Sequence, residues 1–182
     1  TQPPKPEVLV SYLQRHFPGA TYHCAYEAGY CGFWIHDHLK ALGVDCIVVN
    51  PADVPTNHKE RTFKTDRIDA RKLARALRNG ELTPIYVPNR AALEDRSLVR
   101  TRYSLVRKQT RCKNQIKGLL SFYGVPLPQE PSTVNWSKRF IVWLEQLTMH
   151  SPNGTLALKA LIQELKYLRQ MIAESTKQIR TL

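Results

Sequence analysis

TYHCAYEAGYCGFWIHDHLKALGVDCIVVN, residues 21–50, is the stretch that decides the fold. Thr21–Tyr26 (TYHCAY) is rich in β-favouring residues and predicts a strand, with Glu27 at its end beside Ala28-Gly29. Tyr30–Leu42 predicts a helix stopped at Gly43. Val44–Val49 (VDCIVV) is a short and mostly apolar run, the pattern of a buried central strand, and Asn50-Pro51 breaks it. Strand, helix and strand with short connections predict an α/β unit with parallel strands. In such sheets chemistry gathers at the carboxyl ends of the strands, which is where Glu27 falls. A strand-end carboxylate that simply meets solvent explains Glu27 equally well.

To the N-terminal side, Pro6–Phe17 predicts a short helix with Val8, Leu9, Tyr12 and Leu13 inward, stopped by Pro18-Gly19. To the C-terminal side, 54–64 is polar and irregular, and Lys59, Arg61 and Lys64 lead into TDRIDARKLARAL at 65–77. This stretch predicts an amphipathic helix capped by Thr65, with Ala70, Leu73, Ala74 and Leu77 as its apolar stripe. Asp66 and Asp69 point the same way from consecutive turns, while Arg67, Arg71, Arg75 and Arg78 occupy another face. Paired carboxylates at this spacing suit a hard divalent cation, and arginines beside them suit a phosphate backbone. First-turn acids are also favoured by the helix dipole in any protein, so both readings stand.

Thr83–Val87 (TPIYV) predicts a short edge segment, and Pro88 marks a boundary between 1–88 and 89–182. A long helix is expected from Asn89 to Tyr123, where Leu98, Leu105, Cys112 and Leu119 recur every seven residues. Arg90, Arg96, Arg100, Arg102, Arg107, Lys108, Arg111, Lys113 and Lys117 decorate it against only Glu94 and Asp95. So one-signed a helix repels itself unless a polyanion relieves it, which predicts a nucleic-acid contact. Gly124–Val134 is a proline-rich bridge, Trp136–Leu147 a short helix with its aromatics as packing anchors, and Asn153-Gly154 a turn. In the last helix Leu158, Leu161, Leu165, Leu168, Ile172, Ser175, Ile179 and Leu182 keep a 3-4 alternation, a coiled-coil seam with one polar interruption. Pairing within the chain and pairing with a second copy both fit.

The 182 residues carry a net charge of +12 and a pI near 9.8, which suggests an acidic polymer or an anionic membrane surface as partner. No apolar run approaches the ~20 residues that span a bilayer and no signal peptide is evident, so a soluble cytoplasmic protein is expected. The four cysteines, Cys24, Cys31, Cys46 and Cys112, form no CxxC and fit reduced thiols. Cys24, Cys31, His36 and His38 match no standard zinc spacing. A start at Thr1 and a stop at Leu182 inside a heptad pattern read as a fragment of a longer protein.

HCAYEAGYCG at 23–32, IVVNPADV at 47–54, KTDRIDARKLA at 64–74 and a basic coiled coil follow one another in this order. The combination resembles the DEDD-type insertion-sequence transposases, recombinases guided by a bridge RNA. The resemblance implies an α/β, RuvC-like (RNase H-like) domain at 1–88, here lacking its first strands, and an α-helical coiled-coil region at 89–182. It implies that Glu27, Asp66 and Asp69 match three of four acids that bind Mg2+ or Mn2+, as catalytic and metal-binding residues. The first Asp, on an earlier strand, and a nucleophilic serine from a C-terminal domain have no counterpart in this chain. The activity implied is cleavage and exchange of DNA strands, with DNA, a structured bridge RNA and further copies of the protein as partners, and no membrane. Lys64, Arg67, Arg71, Arg100, Arg107, Lys108, Arg111 and Lys113 are the expected nucleic-acid contacts. The fragment alone is expected to bind rather than catalyse. Two other readings remain: a structure-selective nuclease of the RuvC kind using water as nucleophile, and a non-catalytic RNA- or DNA-binding module.

Overall fold

Two parallel strands, β1 (His23–Glu27) and β2 (Asp45–Val49), form the centre of the first half of the chain, paired from His23 opposite Asp45 to Glu27 opposite Val49. The computed structural model describes residues 5–56, 65–128 and 136–182, and divides the chain into two units, Thr1–Pro88 and Asn89–Leu182.

In the first unit the order is α1 (Pro6–His16), β1, α2 (Trp34–Ala41), β2, a single 3-10 turn at Pro51–Asp53, and α3 (Asp66–Arg78). The parallel pair follows from the crossover through α2, since a hairpin cannot join parallel neighbours. Cys46, Val48 and Val49 are each 1% exposed, as an apolar run covered on both faces requires. Gly43 makes the reversal between α2 and β2 at φ +80, a conformation that a side chain would strain. The helix before it is shorter than expected. Residues 29–33 form turns, pinned where the Tyr26 hydroxyl donates to the Gly32 carbonyl at 3.0 Å, and α2 starts only at Trp34.

On the far side of β2 the chain returns at Pro84, which makes an antiparallel bridge to Val49, and the Ile85 amide donates to the Val48 carbonyl at 2.8 Å. Proline is tolerated there because only one ladder bond is needed. Val10, Leu39, Val44 and Cys46 form the small core, with Tyr22, Cys24, Tyr26 and Ile35 against it. The inward face of α1 differs from expectation. Pro6 and Val10 are buried, whereas Val8, Leu9 and Tyr12 are exposed. Only a narrow stripe one turn apart reaches α2, because so short a sheet gives α1 little surface to cover.

The second unit is helical: α4 (Arg90–Phe122), α5 (Lys138–Gln146) and α6 (Pro152–Ile179). Asn89 caps α4 by accepting from the Ala92 amide at 2.8 Å. The helices α4 and α6 run antiparallel and pair within the chain. The Arg102 guanidinium donates to the Thr176 hydroxyl at 2.7 Å, and the Cys112 thiol to the Leu161 carbonyl at 3.2 Å. Cys112, Ile116 and Leu120 of α4 meet Leu158, Ile162, Leu165 and Leu168 of α6, and α5 closes the core with Phe140, Ile141 and Leu144. Ser175, the polar interruption of the seam, is buried and its hydroxyl donates to the Met171 carbonyl at 2.7 Å. Asn153-Gly154, expected as a turn, lies inside the first turn of α6. Ser151 caps that helix by accepting from the Gly154 amide at 3.2 Å, and Pro152 occupies the first helical position, where proline is favoured. No described helix is long and apolar enough to cross a membrane.

Candidate functional site

Three acids line one open cleft of about 510 Å3 in the first unit: Glu27 from the end of β1, and Asp66 and Asp69 from the first turn of α3. The position of α3 is set by its cap, where the Thr65 hydroxyl accepts from the Ile68 amide at 3.3 Å. The face that α3 buries is not the expected one. Lys72 and Ala76 are its buried residues, while Ala70, Leu73, Ala74 and Leu77 line the cleft with His23, Cys24, Ala25 and Tyr26. The helix is rotated so that Asp69 and Lys72 turn toward β1, and the apolar stripe becomes a cleft wall rather than a core face.

Lys72 was not legible as a site residue. It is 7% exposed, and its ammonium lies 3.3 Å from Asp69 Oδ1 and 4.0 Å from Glu27 Oε1. A lysine inside an arginine-rich helix reads as a solvated residue; only the rotation of α3 reveals it. The donor chemistry of the cleft suits a hard cation: carboxylate oxygens, with an ammonium already standing between two of them. Among the described residues no three acidic, histidine or cysteine side chains come close enough to share one metal ion. Glu27 and Asp69 thus converge on a cation, and Asp66, exposed at the rim, does not yet join them.

Cys24 is no candidate nucleophile. Burial, and then its hydrogen bond with Cys46, push its thiol up to about 12, so the reactive thiolate is absent at neutral pH. All four cysteines are free. Burial also raises the Tyr26 hydroxyl to about 12, which keeps it a hydrogen-bond donor.

The expected nucleic-acid contacts are distributed over both units. Arg67 and Arg71 are exposed on α3, and Lys64 lies outside the described residues. On α4, Arg100, Arg107, Lys108 and Arg111 are exposed. At 100° per residue, Arg96, Arg100, Arg107 and Arg111 form one stripe on the side opposite Cys112, Ile116 and Leu120. The seam thus takes the apolar side and leaves the opposite side cationic. Two basic residues depart from this pattern. Arg102 faces Thr176, and Lys113 is half-buried with its ammonium 5.8 Å above the Trp136 ring. Burial first, then the neighbouring Arg169 and Lys117 charges, lower the Lys113 ammonium below its usual range. Arg169 in turn donates to the Trp136 carbonyl. Lys113 therefore serves the packing around Trp136, while Arg107, Lys108 and Arg111 face outward.

Residues 4–125 match the family model of DEDD transposases of the IS110 type, described as a transposase. The chain is 35% identical over 142 residues to a putative transposase, y4qE, of Sinorhizobium fredii, covering 78% of this chain and 35% of that protein. A second putative transposase of the same organism, y4rJ, is 42% identical over 105 residues, covering 54% of this chain and 26% of its own length. The transposase for insertion sequence element IS1533 of Leptospira borgpetersenii is 33% identical over 128 residues, covering 69% and 36%. The chain spans about a third or less of the length of these relatives.

Proposed function

The chain belongs to the DEDD transposase family of insertion sequences, and from that premise we propose that it supplies the metal-binding and nucleic-acid-gripping part of an RNA-guided DNA recombinase. The observation that carries the reading is that Glu27, Asp66 and Asp69 line one cleft, with Arg67 and Arg71 exposed on the same helix as the two aspartates. The acid cleft belongs to a RuvC-like, RNase H-like domain. Glu27 and Asp69, with Asp66 from the same helix turn, would hold Mg2+ or Mn2+. Bound there, the cation neutralises charge developing on the oxygens of a DNA phosphate. The protein's own residues hold and orient that phosphate, with Arg67 and Arg71 reaching the flanking backbone. In the intact protein a serine hydroxyl would displace one deoxyribose oxygen from the phosphodiester, giving a phosphoserine link to one DNA end and a free hydroxyl on the other, so that the bond energy is kept for rejoining.

The outward stripe of α4 grips a structured bridge RNA. Because the apolar seam of α4 and α6 is closed within the chain, contact between copies of the protein uses the outer faces of these helices.

A competition assay at rising salt tests this reading, with a structured bridge-type RNA, a four-way DNA junction and a plain duplex of equal length. The expected result is preference for the RNA that survives moderate salt. Preference for the junction would replace the reading with that of a structure-selective nuclease, and equal, steeply salt-sensitive binding to all three would reduce the chain to a basic surface. Replacing Arg107, Lys108 and Arg111 together by Ala is expected to weaken all polyanion binding and to lower the salt slope by about three, roughly one for each phosphate no longer neutralised.

A further inference from the structure

Lys72 is the only buried charged side chain among the described residues, and its ammonium pairs with two of the three acids that line the cleft. A buried ammonium is costly unless its charge is matched, and two carboxylates facing one another are costly unless a cation lies between them. Each cost relieves the other here. Asp69 and Lys72 are three residues apart on α3 and share a face, and Glu27 enters from the end of β1, so the ammonium is held from two different elements. That geometry makes it a monovalent cation in the place where the acids would converge on a divalent one.

We propose that Lys72 is the resident counter-ion of the acid cleft: its ammonium holds Glu27 and Asp69 together in the absence of metal and competes with the divalent cation for the same carboxylates. The proposal rests on the reading of Glu27 and Asp69 as metal ligands. Mg2+ binds carboxylate oxygens at ~2.0–2.1 Å. An ammonium 3.3 Å from one of those oxygens overlaps the ion's hydration shell and repels its charge. The lysine stem is flexible, so on this proposal the ammonium moves off the carboxylates when the ion enters. Lys72 is thus a positioning residue: it keeps the carboxylates poised and sets how much metal is needed to fill the site.

Calorimetric titration with Mn2+ tests this on the chain, on Lys72→Met and on Lys72→Arg. Lys72→Met keeps the length of the stem and removes the charge, so it is expected to bind Mn2+ about tenfold more tightly, the effect of removing ~1.4 kcal/mol of competition. Lys72→Arg keeps the charge and is expected to restore the weaker affinity. Equal or weaker binding by Lys72→Met overturns the proposal and leaves the metal reading standing. Absence of Mn2+ binding in the chain and in both variants overturns the metal reading and the proposal with it. A second measurement uses the unaltered chain and so does not depend on Lys72→Met folding: the rate at which Lys72 is acetylated by an amine-reactive ester, read by mass spectrometry. Mn2+ is expected to speed it several-fold as the ammonium leaves its buried place, and an unchanged or slower rate overturns the proposal.

Discussion

On the proposed reading of the acid cleft, Asp69→Asn is expected to lower transposition by the intact protein about a thousandfold, the scale on which removal of one electrostatic partner of a transition state is felt. The amide keeps the shape of the carboxylate and removes its charge. Asp69 is the acid best placed to meet a cation, since its Oδ1 already lies 3.3 Å from the Lys72 ammonium. Thermal unfolding followed by circular dichroism checks that the fold is kept, and filter binding checks that polyanion affinity is kept. Activity within a few-fold of the unaltered protein would mean that Asp69 only pairs with Lys72 and takes no part in the reaction.

The second large effect concerns the helical unit. Leu165 of α6 is fully buried, in a core with Ile116 and Leu120 of α4 and Phe140 and Leu144 of α5. Leu165→Ala removes three carbons from a site closed on three sides, and is expected to destabilise this unit by about 3 kcal/mol through the transfer energy forgone and the remaining cavity. Leu156, on the same helix but 68% exposed, serves as control, and its replacement by Ala is expected to change stability by less than ~0.5 kcal/mol. Urea denaturation followed at the helical signal measures both.

The secondary structure of 21–50 was legible because its signals are local. β-favouring residues at Thr21–Tyr26 announce β1, found at His23–Glu27, the apolar run Val44–Val49 announces β2, found at Asp45–Val49, and Gly43 punctuates the turn between α2 and β2; the helix start expected at Tyr30 falls instead at Trp34. The same holds for α4 and α6, whose periodic apolar residues extend over many turns. What was not legible depends on what each helix packs against. In α3, Ala70, Leu73, Ala74 and Leu77 satisfy the period of an inward face, but the neighbouring strand β1 is met by the face one step round, with Lys72 and Ala76. A pattern of small alanines fixes rotation weakly, because two adjacent faces bury similar area. The Glu27 carboxylate across the way can then select the face that carries Lys72. In α1 the difference is of the same kind, with Val10 buried in place of Val8, Leu9 and Tyr12. Asn153-Gly154 misled for another reason. The dipeptide favours turns, but the capping pair Ser151-Pro152 just before it starts a helix first.

For the acid cleft, the spacing of Asp66 and Asp69 and the strand-end position of Glu27 singled out residues that the fold places along one wall-to-wall opening. Sequence spacing carried no information about the ammonium between them, since Lys72 and Glu27 are brought together only by the packing of α3 on β1. Nor did it separate the outward Arg107, Lys108 and Arg111 from Lys113, which Trp136 draws under its ring. Charge along a helix is readable as a sum; its partition between surface and packing requires the neighbour.

Paramagnetic broadening by Mn2+ tests most directly whether Glu27, Asp66 and Asp69 together hold a divalent cation. Mn2+ is added in small steps to the 15N-labelled chain, and the loss of each backbone amide signal is followed. The first signals to disappear are expected to be those around Glu27 and Asp66–Asp69, with Mg2+ in excess restoring them. Broadening that starts elsewhere, or spreads evenly over both units, would contradict a shared cation site in the cleft.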